Sequence, residues 1–561
     1  MEEQKSQSSY QQILSNDPKL IQEICISQRL ESKQIEIMLK KLYELSNLKS
    51  FIVNLQNSST CKSITQQIIL EIQKCPSLSS INLNFSQNQQ INELLPLLNM
   101  NVFRKLESLS LYLQQTSLQD EQIQLLAKSI TQVTSLMQLV INLSENQIGE
   151  NGANEISRCI QNLLSLQTLS LDLENSNLGL FAQQIGTSLS KCTSITSLNL
   201  NLSQNKIGNI VASGIGSGLS SCINLQKLCL ILNNNQIGDK GLSSISDGIS
   251  KCQSITQLAI ELANNLIEHT ASVDLGQSIS NCLLLNQLCL KLSANCIGHY
   301  GTEVICQKIS LCRNLKELDL DLSQNQVKDK GAIAVGQYIP QCNLNKIKIN
   351  LNLNRITCLG AQKLVQFLGN CQNLNEIEIQ LANNLIKDRG ATDIWQGLSK
   401  CSNTTSLRIN LEKNQIDDQG LVAIGNILSL CNKLVSLRIN LSMNKIRNKL
   451  VIGLGQELSK FVDLQDLNLD LSRNQIKDQG ASEIGIGLSK CVNLKTLILD
   501  LKENQIGELG GNELGQGLSQ CLNLKQLTLT LWEVKNAEQS VQALKLKFKQ
   551  SKSLDICKLI E

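Results

Sequence analysis

The two histidines are the residues of this 561-residue chain that are best suited to metal binding. His269 and His299 are 30 residues apart, and Asp239 and Asp329 continue the same spacing on either side. If segments of this length stack, the result is an Asp–His–His–Asp ladder with ligand types that Zn²⁺ accepts. Other acidic residues recur at the same position without a histidine nearby, and this favours an N-cap at the start of a helix instead. We therefore predict no metal ion and no cofactor. The acidic residues are Asp388, Asp418, Asp478 and Glu508.

Glycine-rich strings resemble phosphate-binding loops in composition but not in context. The string at residues 214–218 (GIGSG) falls within a segment of helical spacing, and related strings recur at residues 485–487 and 515–517. Glycines placed in this way favour the close approach of neighbouring helices. The sequence contains neither a GxxxxGK[ST] loop nor the HRD-type and DFG motifs of protein kinases. We therefore predict that the protein is not an enzyme.

The 21 cysteines are explained by a repeating position and not by a disulfide framework. Twelve of them occupy one position of a repeat, which other copies fill with Phe103, Val133, Leu163 or Phe461. A position that accepts Phe, Val and Leu is apolar, and free cysteine behaves there as a small hydrophobic residue. Without a CxxC pair or a secretion signal, the pattern predicts reduced, buried thiols. The twelve are Cys75, Cys192, Cys222, Cys252, Cys282, Cys312, Cys342, Cys371, Cys401, Cys431, Cys491 and Cys521.

The repeat has a period of about 30 residues and indicates a solenoid, whose units bury their apolar sides against their neighbours. In one copy, residues 198–202 (LNLNL) alternate apolar and polar side chains, which is typical of a half-buried strand. A turn follows. In the next copy, Leu242, Ile245 and Ile249 are spaced three and four residues apart, as on one face of a helix. We predict about 17 strand–turn–helix units.

An asparagine recurs shortly after most of the predicted strands, as at Asn205 and Asn325, and Ser58, Thr116 and Ser176 fill the position in other copies. A buried asparagine there can join backbone groups of adjacent units, so we interpret this column as structural. The pattern LxxLxLxLxxNxI followed by GAxxIGxGLSxC resembles the leucine-rich repeat, in particular the long, helix-containing class of ribonuclease inhibitor. The resemblance covers roughly residues 48–561. The array is also similar to Gln- and Asn-rich repeat families of ciliates, some of which are fused to protein kinase domains.

The resemblance implies an α/β fold, a right-handed leucine-rich-repeat horseshoe with a parallel sheet on the concave face and helices on the convex face. Residues 1–17 are rich in Gln and Ser and are predicted to be a disordered N-terminal segment. We assign residues 18–47 to a helical N-terminal cap of two helices and residues 48–535 to the repeat array. Residues 536–561 are predicted to form a C-terminal cap helix and a truncated last repeat.

The outward side chains of the strands form the predicted binding surface. We take the column that contains Asn142 and Asp321 as the centre of this surface, and most of its members are short and polar. Mixed charges on such a surface favour orientation and specificity. A sheet that is merely solvated is the alternative, because the face is poor in Trp and Tyr. The candidate partner-binding residues are Tyr112, Asp319, Asp321, Lys348, Glu378, Arg408, Arg438, Asp470, Asp500 and Trp532.

The charge balance of the chain narrows the choice of partner. With 51 basic and 48 acidic residues and no basic stripe, the sequence predicts no nucleic-acid binding and no membrane binding. It has neither a run of 18 apolar residues nor a signal sequence, so we expect a cytoplasmic protein. The function favoured is a non-catalytic scaffold that binds a protein on its concave face. One alternative, implied by resembling families, is a GTPase-activating or kinase-associated regulatory protein. The other is a structural protein without a dedicated partner.

Overall fold

The computed structural model of the chain describes most of the repeat array and parts of both ends. The described residues form two compact units, one of residues 1–267 and 277–285 and the other of residues 268–276 and 286–561. The described ranges are 5, 8–11, 13, 21–27, 30–42, 45, 47–57, 62–75, 77–369, 371, 373–418, 433–458, 460–461, 463–531 and 556–560.

Each repeat begins with a strand of five residues, and the strands of each unit pair in parallel, in chain order and without a register shift. In most strands the second and fourth side chains are buried. The first unit contains β1 (Glu23–Ser27), β2 (Ser50–Asn54), β3 (Ser80–Asn84), β4 (Ser108–Tyr112), β5 (Gln138–Asn142), β6 (Thr168–Asp172), β7 (Ser197–Asn201), β8 (Lys227–Ile231) and β9 (Gln257–Glu261). The second contains β10 (Gln287–Lys291), β11 (Glu317–Asp321), β12 (Lys346–Asn350), β13 (Glu376–Gln380), β14 (Ser406–Asn410), β15 (Ser436–Asn440), β16 (Asp466–Asp470), β17 (Thr496–Asp500), β18 (Gln526–Thr530) and β19 (Ile556–Ile560).

A helix follows most of the described strands and packs against the helix of the neighbouring repeat. None of the described helices combines the length and the apolarity needed to cross a bilayer. The helices are α1 (Ser32–Lys40), α2 (Lys62–Ile72), α3 (Ile91–Leu94), α4 (Asp120–Thr131), α5 (Glu150–Asn162), α6 (Ala182–Ser188), α7 (Gly208–Leu219), α8 (Asp239–Lys251), α9 (Ala271–Asn281), α10 (Gly298–Ile309), α11 (Lys328–Tyr338), α12 (Cys358–Leu368), α13 (Lys387–Leu398), α14 (Asn448–Leu458), α15 (Asp478–Ser489) and α16 (Glu508–Leu518).

Aliphatic side chains from the strands and the helices fill the core of each unit. In the repeat of β7, Leu198, Leu200 and Leu202 are buried together with Ile215 and Leu219 of α7. Each such side chain contributes about 1.5–3 kcal/mol when it leaves water. Leu202 lies one residue beyond the end of β7, and its N–H donates to the carbonyl oxygen of Ile231 at 2.9 Å. The additional leucine of the pattern therefore continues the pairing between repeats past the strand itself.

The cysteine column lies in this core, as the sequence predicts. Its eleven described members are buried and none of them forms a disulfide bond, and Cys431 lies outside the described residues. The Sγ atom of Cys222 is 3.6 Å from the carbonyl oxygen of Leu189 in the preceding repeat. Burial raises the pKa of the Cys222 thiol to about 11 and that of Cys252 to about 12, so both stay protonated at neutral pH.

The asparagine column joins the turn of each repeat to the turn of its neighbour. Asn146 Nδ2 donates to the carbonyl oxygens of Leu113 at 2.8 Å and Leu143 at 2.9 Å. Its Oδ1 accepts hydrogen bonds from the backbone N–H groups of Thr116 and Leu118, at 3.2 and 2.9 Å. The side chain thus satisfies backbone groups that the turn leaves without partners. The structural interpretation of this column is confirmed.

The glycine-rich strings lie in the helices and allow them to touch. A Cβ atom on Gly216 of α7 would lie 2.0 Å from the carbonyl oxygen of Ser244 in α8. A Cβ atom on Gly218 would lie 2.0 Å from the carbonyl oxygen of Gly186 in α6. Neither position has room for a larger residue, which confirms that these glycines permit close helix packing.

The acidic residues near the helix starts form hydrogen bonds different from those predicted. Asp239 is the first residue of α8, whose N-cap is Gly238, so the expected N-cap assignment was wrong. Elsewhere in this column, the carboxylate accepts a hydrogen bond from the following repeat. Asp329 Oδ1 accepts from the N–H of Thr357 at 2.7 Å, and Thr357 is the N-cap of α12. These side chains therefore link successive repeats, because the helix starts of neighbouring repeats lie side by side.

The two ends of the array differ in how well they match the prediction. The first of the two helices predicted within residues 18–47 is instead the strand β1, which pairs with β2. Described residues of the segment 1–17 are helical, and Ser9 and Ile13 are buried, so the expectation of disorder was wrong for them. At the other end, β19 pairs in parallel with β18, in the segment where a truncated last repeat is predicted. The predicted cap helix after residue 536 lies outside the described residues.

Candidate functional site

The outer side of the sheet in each unit carries the first, third and fifth side chains of most described strands, and these form three columns. The third residue is the central one. The column that contains Asp321, taken above as central, holds the last residue of each strand instead. The sequence pattern misplaced the centre because the third leucine of each repeat lies after the strand has ended. In β11 to β15 the central column reads Asp319, Lys348, Glu378, Arg408 and Arg438.

Asparagine and aspartate side chains in the last column close the turn that follows their strand. Asp321 Oδ1 accepts hydrogen bonds from the N–H and the hydroxyl group of Ser323, at 2.9 and 2.7 Å. Asp470 and Asp500 accept a backbone hydrogen bond from the residue two positions further on, at 3.0 and 2.9 Å. This is the turn that Asn and Asp side chains commonly stabilise. Folding alone therefore accounts for the short polar residues of this column.

The charges of the central column form a network around one carboxylate. The Lys348 Nζ and Arg408 Nη1 atoms lie 3.8 and 3.7 Å from the same oxygen of Glu378, Oε2. In the first column, Lys346 Nζ pairs with Glu376 Oε2 at 2.7 Å. Each half-exposed pair contributes at most about 1 kcal/mol, so the network orders the surface more than it stabilises the fold. Lys346 and Glu376 are not among the residues predicted from the sequence, although the strand sequences KIKIN and EIEIQ indicate two charged residues on the outer face of each strand.

Asp319 provides a test of the electrostatics of this surface. Burial raises the pKa of its carboxyl group above the ordinary value, although Lys291 and Lys348 oppose the shift. The raised pKa means that the charged form is disfavoured in the folded state and lowers stability at neutral pH. We expect Asp319→Asn to raise the urea midpoint slightly at pH 7. The gain should shrink as pH falls through the raised folded pKa and disappear below the unfolded value. Asp463→Asn, at an exposed position, is the control, and an equal gain in both variants contradicts the assignment.

The remaining candidate residues do not join this cluster. Tyr112 is half-buried at the end of β4, between Asn84 and Asn142 on the neighbouring strands. Trp532 lies outside the described residues. His269 contacts the ring of Tyr300 edge-on, with the ring centres 5.9 Å apart. Within the described ranges, no group of three or more His, Cys, Asp or Glu side chains is arranged to hold a metal ion.

The central column of the first unit is uncharged, in contrast to that of the second. Small polar and apolar side chains occupy it from β2 to β9. The grouped charges therefore belong to the second unit alone. The first-unit residues are Ile52, Asn82, Ser110, Val140, Ser170, Asn199, Cys229 and Ala259.

Parallel strand–helix repeats with a buried asparagine at the turn define an α/β leucine-rich-repeat solenoid. Residues 228–246, 311–336, 403–425 and 467–485 match the family described as Leucine Rich repeat, and the chain is a protein built from such repeats. No curated protein matches the chain significantly.

Two solved structures are among those that match the chain. One is the plant peptide hormone receptor RGFR1 in complex with RGF2, with 17% identity over 97% of this chain and 96% of that chain and a TM-score of 0.32. The other is a leucine-rich-repeat protein of Leptospira interrogans, with 17% identity over 87% of this chain and 91% of that chain and a TM-score of 0.41.

Proposed function

We propose that this protein is a non-catalytic scaffold that binds a protein partner on the sheet face of its second unit. The observation that carries the proposal is the run of five consecutive charged residues in the central column of β11 to β15. Complementary charges on a partner orient it and accelerate its association. Because the strands fix the backbone of this surface, little conformational entropy is lost when a partner binds.

The stability of the surface supports a binding role. The Asp319 carboxylate is disfavoured by burial, as its raised pKa indicates, so its charge lowers the stability of the fold. Residues that lower stability are often retained where function needs them. Free, buried cysteines further support a location in a reducing compartment such as the cytoplasm. The helix in most repeats supports the ribonuclease-inhibitor-like class of leucine-rich repeat.

Charge reversal on the sheet face tests this function. We expect the tagged double variant Arg408→Glu/Arg438→Glu to recover at least about tenfold less of the partner from native cells than the wild type does. The reason is that like charges placed against each other at an interface cost several kcal/mol. The recovered proteins are quantified by mass spectrometry, and thermal melts confirm that the variant folds.

The matched control is Lys330→Glu/Arg389→Glu, which makes the same charge change at two exposed positions in the first turns of α11 and α13. This control should recover the partner as the wild type does. If the same proteins are recovered by all three forms, the sheet face of the second unit is not the binding surface.

A further inference from the structure

Strands β14 and β15 have the same sequence, SLRIN, and this repetition creates a small surface that is rich in hydrogen-bond donors. Neighbouring parallel strands are about 4.8 Å apart, so the paired side chains lie next to each other. No acidic residue occurs on either strand. The surface, which we call the Arg pair platform, consists of Ser406, Arg408, Asn410, Ser436, Arg438 and Asn440.

The two asparagines of the platform hold their amide groups in a fixed direction. Asn410 Oδ1 accepts from the N–H of Glu412 at 2.9 Å, and Asn440 Oδ1 accepts from the N–H of Ser442 at 2.9 Å. Their NH₂ groups have no acceptor among the described residues. The equivalent NH₂ group of Asn350 donates to Asp321 Oδ2 at 2.9 Å. The asparagine NH₂ groups of the platform therefore lack an acceptor like the one that Asp321 provides for Asn350.

The two arginines are also incompletely paired. Arg438 is exposed and forms no ion pair with any described residue. Arg408 lies 3.7 Å from a carboxylate oxygen that Lys348 shares, and its Nε atom is buried without an acceptor. Like charges on neighbouring strands repel each other, and an unsatisfied buried donor is unfavourable. Both features are relieved when an anion draws the two guanidinium groups together.

We propose that the Arg pair platform binds a phosphorylated serine or threonine side chain on a peptide segment of the partner. This inference rests on the proposed function and names the chemistry that the surface recognises. A phosphate group carries a charge of about −1.5 to −2 and three acceptor oxygens. Two guanidinium groups can share these oxygens, and the asparagine NH₂ groups can donate to the same anion. A side-chain carboxylate has two oxygens and a single charge, which one arginine satisfies.

Three fluorescein-labelled nonapeptide libraries test the proposal with the full chain. Each library is random except for its central residue, which is phosphoserine, serine or glutamate. We expect fluorescence polarisation at 0.15 M NaCl to show binding of the phosphoserine library at least about tenfold tighter than that of the other two. Equal binding of the phosphoserine and glutamate libraries, or no binding of the phosphoserine library, overturns the proposal.

Variants assign the binding to the platform. Arg408→Gln and Arg438→Gln should each weaken binding of the phosphoserine library about tenfold, and Arg438→Lys should lose most of the preference because it lacks the planar fork. Arg473→Gln is the matched control. Arg473 pairs with Glu503 at 3.0 Å and lies outside the three strand columns. Unchanged binding by both platform variants overturns the proposal.

A last measurement separates this inference from the proposed function. The partner recovered by the wild-type chain is treated with phosphatase and tested for rebinding. Loss of rebinding supports the platform. Rebinding at full strength overturns the phosphate inference and leaves the proposed scaffold function intact. If the Arg408→Glu/Arg438→Glu variant recovers the partner as well as the wild type does, the proposed scaffold function itself is overturned.

Discussion

Replacement of Gly455 by alanine is expected to lower the free energy of unfolding by about 3 kcal/mol. A Cβ atom at this position would lie 2.3 Å from the carbonyl oxygen of Glu483 and 2.8 Å from its carbonyl carbon. Both are backbone atoms that cannot rotate away, so α14 and α15 must separate. Because each repeat is stabilised by its neighbours, the damage should centre on these two helices. Urea denaturation measures the loss, and hydrogen exchange locates it.

Gly453, two residues earlier on the same helix, is the matched control. A Cβ atom there would have no other atom within 4 Å. The following repeat has Glu483 at the corresponding position, which shows that this site on the helix accepts a side chain. Gly453→Ala should stabilise the protein by about 0.5–1 kcal/mol, because alanine favours the helix. If the two alanine variants have the same stability, close helix contact at Gly455 is not what constrains that position.

Asn354→Ala should be the other severe substitution, with an expected loss of about 4 kcal/mol. The side chain is fully buried, and its Nδ2 donates to the carbonyl oxygens of Leu322 at 2.8 Å and Asn352 at 3.1 Å. Its Oδ1 accepts from the N–H groups of Asn325 and Val327, both at 3.0 Å. The Asn352 carbonyl oxygen keeps its hydrogen bond from the Gln324 N–H at 3.0 Å, but alanine leaves the other three backbone groups without a partner. Each unsatisfied buried group costs about 1–3 kcal/mol. The free energy of unfolding is measured by urea titration.

Two further variants define what Asn354 contributes. Asn373→Ala, at an exposed asparagine, should change stability by less than about 0.5 kcal/mol. Asn354→Thr should recover part of the loss, since Thr116 occupies the same column and its hydroxyl donates to the carbonyl oxygen of Leu113 at 2.7 Å. A loss of stability in Asn354→Ala no larger than that in Asn373→Ala would show that water replaces the hydrogen bonds of the Asn354 side chain without penalty.

The core of the fold was predictable because each of its features repeats at a fixed distance along the chain. Leu198 and Leu200 alternate with polar residues, and Cys222 shares its position with Phe and Leu in other copies, so both patterns report burial directly. The strand β1 was not predictable in this way. Its sequence, EICIS, is too short to separate strand from helix, and only its pairing with β2 decides the structure.

The candidate site was predicted in part. Lys348, Glu378 and Arg408 are all candidate residues at one repeat position, and the structure brings their charged groups together. The functional role of this group remains a prediction. Asp321 was placed at the centre of the surface, but it lies at a strand end and accepts hydrogen bonds in the turn. The sequence shows that residue 321 points outward, and it does not show where the strand stops.

By itself, the sequence determined the period, the identity of the buried positions and the structural role of the asparagine column, because residues one period apart share one environment in a stacked chain. The tertiary structure alone decided which outward residue lies at mid-strand, that Asp329 accepts a hydrogen bond from the N-cap residue of the neighbouring helix, and that the Asn410 and Asn440 amides have no described acceptor. These properties depend on hydrogen bonds and distances between repeats, which a pattern along a single chain does not encode.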